Sequence, residues 1–193
     1  MTDLLTFSTG NAKLGKQTLI FNLPAGRTCP GALFCLSFAV MDPETGKRHV
    51  QDGPQTQFRC FAATSEAQYD GPFYARARNL QLIVEAIQTN TAVELLNTSL
   101  QKARTKKSEL VRIHESGDFF SGAYLDAWVE VAKLNPDLKF YCYSKNLPLF
   151  VEANLPENFY MTASYGGKHD DMIDAGIFPV SYTHLRAHET RED

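Results

Sequence analysis

The chain has 193 residues, a formal net charge of -3 and four cysteines, and these values describe one domain of ordinary globular composition. The slightly negative charge argues against the global basic field of many nucleic-acid-binding proteins. No apolar run approaches the roughly 20 residues that span a membrane, and the first residues lack the basic and apolar regions of a signal peptide. We therefore expect a cytoplasmic protein with no membrane partner.

The last fourteen residues, 180–193, are expected to be foreign to the fold. A back-translation of residues 180–190 reproduces a transposon-type sequencing adaptor, and we exclude the segment as one excludes an expression scar. The exclusion also removes His184 and His188, whose spacing would suit a metal ion bound to a helix. We expect a single, incomplete domain over residues 1–179, with the natural chain continuing past Pro179.

The N-terminal part predicts two β-hairpins separated by an irregular loop. Residues 4–23 form two apolar runs around a glycine-bearing connection, and residues 37–53 form two more around a turn at 42–46. Between the hairpins, residues 24–35 are rich in Gly and Pro and carry two cysteines. We call this segment the cysteine loop.

The C-terminal part predicts alternating strands and helices. Apolar spacing of three and four predicts a helix after residue 72 and a second from about residue 90. From residue 110 the expected order is strand, helix, strand, short helix, strand, helix and strand, over residues 110–116, 121–134, 138–144, 147–153, 158–164, 168–175 and from 177. This alternation predicts an α/β fold with a βαβ parallel sheet or a partial (β/α) barrel.

Polar and glycine-rich segments follow three of the predicted strands, and ligands bind at such carboxyl ends in parallel α/β folds. The segments are HESGDF (114–119), YSKN (143–146) and ASYGG (163–167). The candidate catalytic residues, chosen for acid, base and charge-pairing chemistry, are His114, Asp118 and Lys145. The candidate substrate-binding residues are Ser116, Gly117, Ser144, Asn146 and Gly166. The alternative is a hydrogen-bonded turn in which Asp118 or Ser121 caps the following helix.

Three cysteines are candidate metal ligands. Cys29, Cys35 and Cys60 are separated by five and 24 residues, which does not match the close ligand pairs of structural zinc sites. Three thiolates would hold an iron-sulfur cluster with one corner open or filled by His114, by Cys142 or by a ligand in the natural chain past Pro179. The alternative is that each cysteine is a small buried apolar residue, the reading favoured for Cys142 in the middle of a strand.

The segments CPGALFC, RIHESGDFFSGAYLDAW and FYCYSKN resemble the bacteriophage gene-88 protein family, whose members are of uncharacterised function. This resemblance implies a phage or prophage origin. A looser similarity is to radical S-adenosylmethionine enzymes, which place three cysteines ahead of a partial (β/α) barrel. It implies that Gly117 and Asp118 stand where a Gly-Glu element binds the S-adenosylmethionine amine, although the three cysteines here span 32 residues instead of one short loop.

These observations lead to three hypotheses about function. The first is an iron-sulfur protein, radical-enzyme-like by that similarity, with a small-molecule or nucleotide site at the strand ends. The second is a hydrolase or transferase that acts on phosphates of nucleotides or nucleic acid through His114, Asp118 and Lys145. The third is a phage-encoded binding protein that blocks a host factor.

Overall fold

The computed structural model describes residues 3–10, 15 and 17–181. Most of the segment that we set aside as foreign, including His184 and His188, lies outside these residues. None of the described helices is long and apolar enough to cross a membrane.

Both predicted hairpins are confirmed. Strands β1 (Phe7–Thr9) and β2 (Thr18–Phe21) pair antiparallel, as do β3 (Ser37–Met41) and β4 (Arg48–Asp52). Asp42 closes the second turn, because its carboxylate accepts the backbone N–H groups of two following residues at 2.8 and 2.9 Å.

Three helices follow the second hairpin. Helix α1 (Phe61–Gln68) begins directly after Cys60 and was not predicted, whereas α2 (Asp70–Gln88) and α3 (Ala92–Ala103) were. Helix α1 packs on the second hairpin through a small cluster of Ala25, Ala62 and Ala63.

The alternating region contains the expected elements with shifted ends. In chain order they are β5 (Leu110–Ile113), α4 (Gly122–Leu134), β6 (Lys139–Ser144), a 3-10 helix (Leu147–Phe150), β7 (Phe159–Ser164), α5 (Asp170–Asp174) and β8 (Val180–Ser181). Ser121 caps α4 as predicted, since its hydroxyl accepts the Tyr124 N–H at 3.3 Å. Strand β5 ends at Ile113 instead of residue 116, because His114 has a φ of 72° and leaves the extended conformation.

The main sheet has six strands in the order β1-β2-β5-β6-β7-β8. Strands β2, β5, β6, β7 and β8 are parallel, and only β1 runs against them. The predicted parallel α/β sheet is therefore confirmed. The partial barrel is not confirmed, since the pairing establishes only an open sheet with β1 and β8 at its edges.

One face of this sheet carries the main core. The strand residues on this face are buried against α2, α3 and α4, with Trp128 and Tyr124 completely enclosed. Burying a large apolar side chain contributes about 1.5–3 kcal/mol, so this face holds most of the hydrophobic stabilisation.

The opposite face of β5, β6 and β7 is different. The residues that point there alternate with the core residues and are exposed or half-buried. We call this surface the open face, and its members are Leu110, Arg112, Lys139, Tyr141, Tyr143, Tyr160 and Thr162.

Candidate functional site

The carboxyl ends of β5, β6 and β7 lie side by side. Register pairs Ile113 with Cys142 and Ser144 with Ala163, so the polar segments after these strands meet at one edge of the sheet. We call it the carboxyl edge. The predicted adjacency of these strand ends is confirmed.

Asp118 is the buried centre of the carboxyl edge. Its Oδ1 accepts the Ser144 hydroxyl at 2.7 Å and the Phe119 N–H at 2.7 Å, and its Oδ2 accepts the Lys145 N–H at 2.9 Å. Burial raises the pKa of this carboxyl, although the three hydrogen bonds act in the opposite direction. The side chain therefore joins the end of β5 to the end of β6.

Lys145 joins β6 to β7. Its Nζ donates to the Ser164 hydroxyl at 2.8 Å and to the carbonyl oxygen of Tyr165. Burial lowers the pKa of the ammonium, while nearby negative charge, including that of Asp118, acts to raise it. The structure thus brings two of the three candidate catalytic residues together in one partly buried, charged cluster.

His114, the third candidate, lies in the interior instead. Its ring is 3% exposed and contacts the rings of Phe21, Phe119 and Tyr124. Nε2 lies 2.9 Å from the Tyr124 hydroxyl, and Nδ1 has no hydrogen-bond partner among the described residues. Burial lowers the pKa of the imidazole to about 3, so the ring is neutral at physiological pH.

Two candidate substrate-binding residues hold the end of β6 in place. The Ser144 hydroxyl that donates to Asp118 also accepts the Asn146 N–H at 3.0 Å. The Asn146 amide donates to the carbonyl oxygen of Phe119 at 2.7 Å. Both side chains are therefore committed to contacts within the protein.

Ser116 belongs to a network that the sequence did not reveal. Its hydroxyl lies 3.0 Å from Oε1 of Glu66, which also accepts the Ala25 N–H at 3.0 Å and an Arg76 N–H at 2.8 Å. Glu66 is 3% exposed, so this acid links α1, α2, the cysteine loop and the turn after β5. Nothing in its Ala-rich helix distinguishes it from a surface acid in the sequence.

Asn22 is the second residue that the sequence analysis missed. Its Oδ1 accepts the N–H groups of Glu115 at 2.8 Å and Ser116 at 2.9 Å. Asn22 directly follows β2, so it carries the same signal as the other candidates, a polar residue at the carboxyl end of a parallel strand. We missed it because the hairpin was read separately from the parallel sheet.

Glycines let the cysteine loop lie directly on the carboxyl edge. A Cβ atom on Gly31 would lie 2.2 Å from the Lys145 carbonyl oxygen. Gly117 has a φ of 87°, and a Cβ there would lie 2.6 Å from the Thr28 hydroxyl. The carbonyl of Gly166 accepts the N–H groups of residues 33 and 34 at 3.2 and 3.0 Å. The candidates Gly117 and Gly166 thus form part of the surface on which the cysteine loop packs.

This packing places the three candidate ligands near the charged cluster of Asp118 and Lys145. Burial raises the pKa of the Cys29 thiol well above its usual value, with further increases from Asp118, Cys60 and Cys35. Burial also raises the pKa of Cys35, where Lys145 acts in the opposite direction and Cys60 adds to the increase. The three thiols therefore interact electrostatically with one another, although they come from distant parts of the sequence.

In the part of the chain that the structure describes, no group of three His, Cys, Asp or Glu side chains is arranged to hold a metal ion. The donor set suits a soft metal or an iron-sulfur cluster, but its spacing is not that of a formed site. Cys142 is apart from the set, because it is 1% exposed and packs in the main core, as predicted.

Comparison with known proteins identifies relatives in phages. A family model described as "Gene product 88" matches residues 4–190. The "Gene 88 protein" of Mycobacterium phage L5 is 31% identical over 179 residues, covering 88% of this chain and 64% of the relative. The "Gene 88 protein" of Mycobacterium phage D29 is 28% identical over 178 residues, with the same coverage.

The chain thus spans less than two thirds of the length of these two relatives. The family match extends into the tail at residues 180–190, and the adaptor origin of that tail stays a prediction. No solved structure gives a significant match. None of the comparisons supports the looser similarity to radical S-adenosylmethionine enzymes.

Proposed function

The chain belongs to the gene product 88 family, and from the geometry of its carboxyl edge we propose that it holds an iron-sulfur cluster beside a small-molecule site. The ligands are Cys29, Cys35 and Cys60. The small molecule, a polar metabolite or nucleotide, binds at the open corner of the cluster, beside the edge that Asp118 and Lys145 hold together.

The observation that carries this proposal is the packing of the cysteine loop on the carboxyl edge, which places its thiols near Asp118, Lys145 and Cys60. Burial and repulsion from nearby negative charge disfavour the thiolate forms of Cys29 and Cys35, and a bound cation removes both penalties. Lys145 adds positive charge beside Cys35, which favours an anionic sulfur there. A loop rich in Gly and Pro also leaves backbone N–H groups available for hydrogen bonds to sulfur.

Cluster assembly has to draw the three thiols closer together than they lie among the described residues. The parts that have to move are the cysteine loop and the start of α1, where Cys60 is half-buried and makes no side-chain capping bond. Three protein ligands leave one corner of a four-iron cluster for another ligand, which is the position available to a small molecule.

S-adenosylmethionine is not part of the proposal. Both carboxylate oxygens of Asp118 already accept hydrogen bonds from the protein, and Gly117 is packed against Thr28 and Leu23. The phosphate-directed hydrolase is also less well supported, because His114 lies among aromatic rings and its Nε2 meets the Tyr124 hydroxyl instead of Asp118 or Lys145.

Anaerobic reconstitution of the full chain with ferrous iron and sulfide tests the proposal. We expect a broad visible absorption band and bound iron and sulfide after desalting. Cys60→Ala should lose most of the bound iron because it removes a ligand. Cys142→Ala is the matched control, and it should retain the iron because this buried thiol is not a ligand.

Equal iron content in Cys60→Ala and the wild type would contradict the assignment, as would a wild type that binds no iron while correctly folded. A phosphoesterase activity that survives Cys60→Ala and is abolished by His114→Asn would support the hydrolase instead.

A further inference from the structure

We propose that the open face of β5, β6 and β7 binds single-stranded nucleic acid by stacking its bases on tyrosine rings. Parallel sheets usually have both faces covered by helices. Here α2, α3 and α4 pack on one face only, while the other exposes Tyr143 by 39% and Tyr160 by 52%. A planar ligand can therefore reach these rings without any rearrangement of the backbone.

The side chains of the open face suit an aromatic ligand. Register places Tyr141 opposite Arg112 on one side and opposite Tyr160 on the other, so these groups form one row across three strands. The rings of Tyr141 and Tyr143 lie 6.4 Å apart at 86°, and the Arg112 guanidinium lies 5.6 Å from the centre of the Tyr143 ring. Rings of this kind stack on bases of any sequence.

The local charge of the open face is complementary to phosphate. Arg112 and Lys139 both point to this face, and the segment just before β5 carries Lys106 and Lys107. Glu115, which follows β5, is the acid whose charge acts on Tyr141. The named members of the open face thus include two cations and no acid, whereas its amino-terminal edge mixes these lysines with Glu109 and Glu157. The positive charge is therefore confined to the face, even though the chain as a whole is slightly acidic.

A protein partner is the less suitable occupant, because Leu110 is the only aliphatic side chain of the open face other than the threonine methyl group of Thr162. A free mononucleotide could engage one ring and one cation. The three rings, two on β6 and one on β7, offer more stacking positions than that, which favours a strand of several nucleotides.

Fluorescence anisotropy with a labelled oligothymidylate of about twelve nucleotides tests this proposal in the full chain at low salt. Tyr143→Ala and Tyr160→Ala should each weaken binding by about 5- to 100-fold, the range for loss of one stacked base. Tyr74→Ala is the matched control, since Tyr74 is 56% exposed but lies on α2. Lys139→Gln should lower the slope of affinity against salt by about one.

Three results would overturn the proposal. They are no oligonucleotide binding by a folded wild type, binding that neither tyrosine variant weakens, and full competition by free thymidine monophosphate at equal nucleotide concentration. Self-association that the tyrosine variants abolish, without oligonucleotide binding, would identify a protein interface instead. The inference does not depend on the proposed cluster, so Cys60→Ala should bind the oligonucleotide as the wild type does.

Discussion

His114 adopts a backbone conformation that few residues other than glycine, asparagine and aspartate tolerate. Its φ of 72° turns the chain out of β5 and directs the ring into the core. There, one ring nitrogen meets the Tyr124 hydroxyl, and the other is buried with no hydrogen-bond partner in the part of the chain that the structure describes. Strain of this kind costs on the order of 1–3 kcal/mol and persists only where the surrounding packing enforces it.

The buried imidazole predicts a loss of stability in acid. Its pKa falls from 6.5 to about 3 on folding, so the unfolded chain binds the proton at higher pH than the folded chain does. The contribution to stability is complete above pH 6.5 and is lost as the pH falls towards 3. Between pH 7 and pH 5 the free energy of unfolding should decrease by about 2 kcal/mol because of His114.

Chemical denaturation of wild type and His114→Asn at both pH values measures this effect. Asparagine tolerates a positive φ, so the variant removes the titration with little added strain. The wild type should lose more stability than the variant by the amount given. His49→Asn is the control, because it makes the same substitution at an exposed histidine of the β3-β4 hairpin, outside the main core. Identical pH dependence in wild type and His114→Asn would show that the ring is accessible to protons.

At the scale of elements, α1 acts as the support of the carboxyl edge. Glu66 on this helix accepts hydrogen bonds from the cysteine loop and from Ser116, and it pairs with Arg76 of α2 at 2.8 Å. Both charged side chains are largely buried, at 3% and 11% exposure. Removing one charge of such a pair leaves the other without compensation.

We therefore expect Glu66→Gln to lower the free energy of unfolding by about 3 kcal/mol. Glu94→Gln is the control, since Glu94 lies exposed on α3 and should change stability little. Denaturant titration gives both values, and a change below 0.5 kcal/mol in Glu66→Gln, within the roughly 0.5 kcal/mol of ordinary surface substitutions, would contradict the supporting role.

The sequence predicted which strands and helices form better than it predicted where they end or which tertiary contacts hold them in place. Period-two and helical patterns located β5, α4, β6 and β7, because each has one face committed to a core. The end of β5 could not be read, since a single positive φ at His114 ends the extended conformation that the predicted strand 110–116 assumed. Helix α1 has no apolar stripe, so its existence depends on contacts with the hairpin and with Ser116 that only the tertiary structure supplies.

For the whole molecule, the two sheets should differ in local stability. Strands β5 and β6 are paired on both sides and buried in the main core, whereas the β3-β4 hairpin pairs only with itself among the described strands. The cluster beneath the hairpin consists of small alanines. Little apolar area therefore opposes local opening of the hairpin.

Native-state hydrogen exchange should reveal this difference. We expect amides of β3 and β4 to exchange at least about tenfold faster than those of β5 and β6, under conditions in which the fold is stable. The amides of α4 serve as an internal control, because this helix packs on the same core as the central strands and should share their protection. Equal protection of both sheets would mean that the molecule opens only as one cooperative unit.

The packing of the cysteine loop on the carboxyl edge also affects the protein during its synthesis. The loop donates backbone hydrogen bonds to the Gly166 carbonyl, and its Gly31 carbonyl accepts the Lys168 N–H. Both Gly166 and Lys168 are translated more than 130 residues after Gly31. During synthesis the thiols of the loop therefore stay exposed until nearly all of the described sheet has emerged from the ribosome. During this interval they are accessible to oxidants and to free metal ions, so the timing of translation, as well as the finished geometry, determines what these sulfur atoms first encounter.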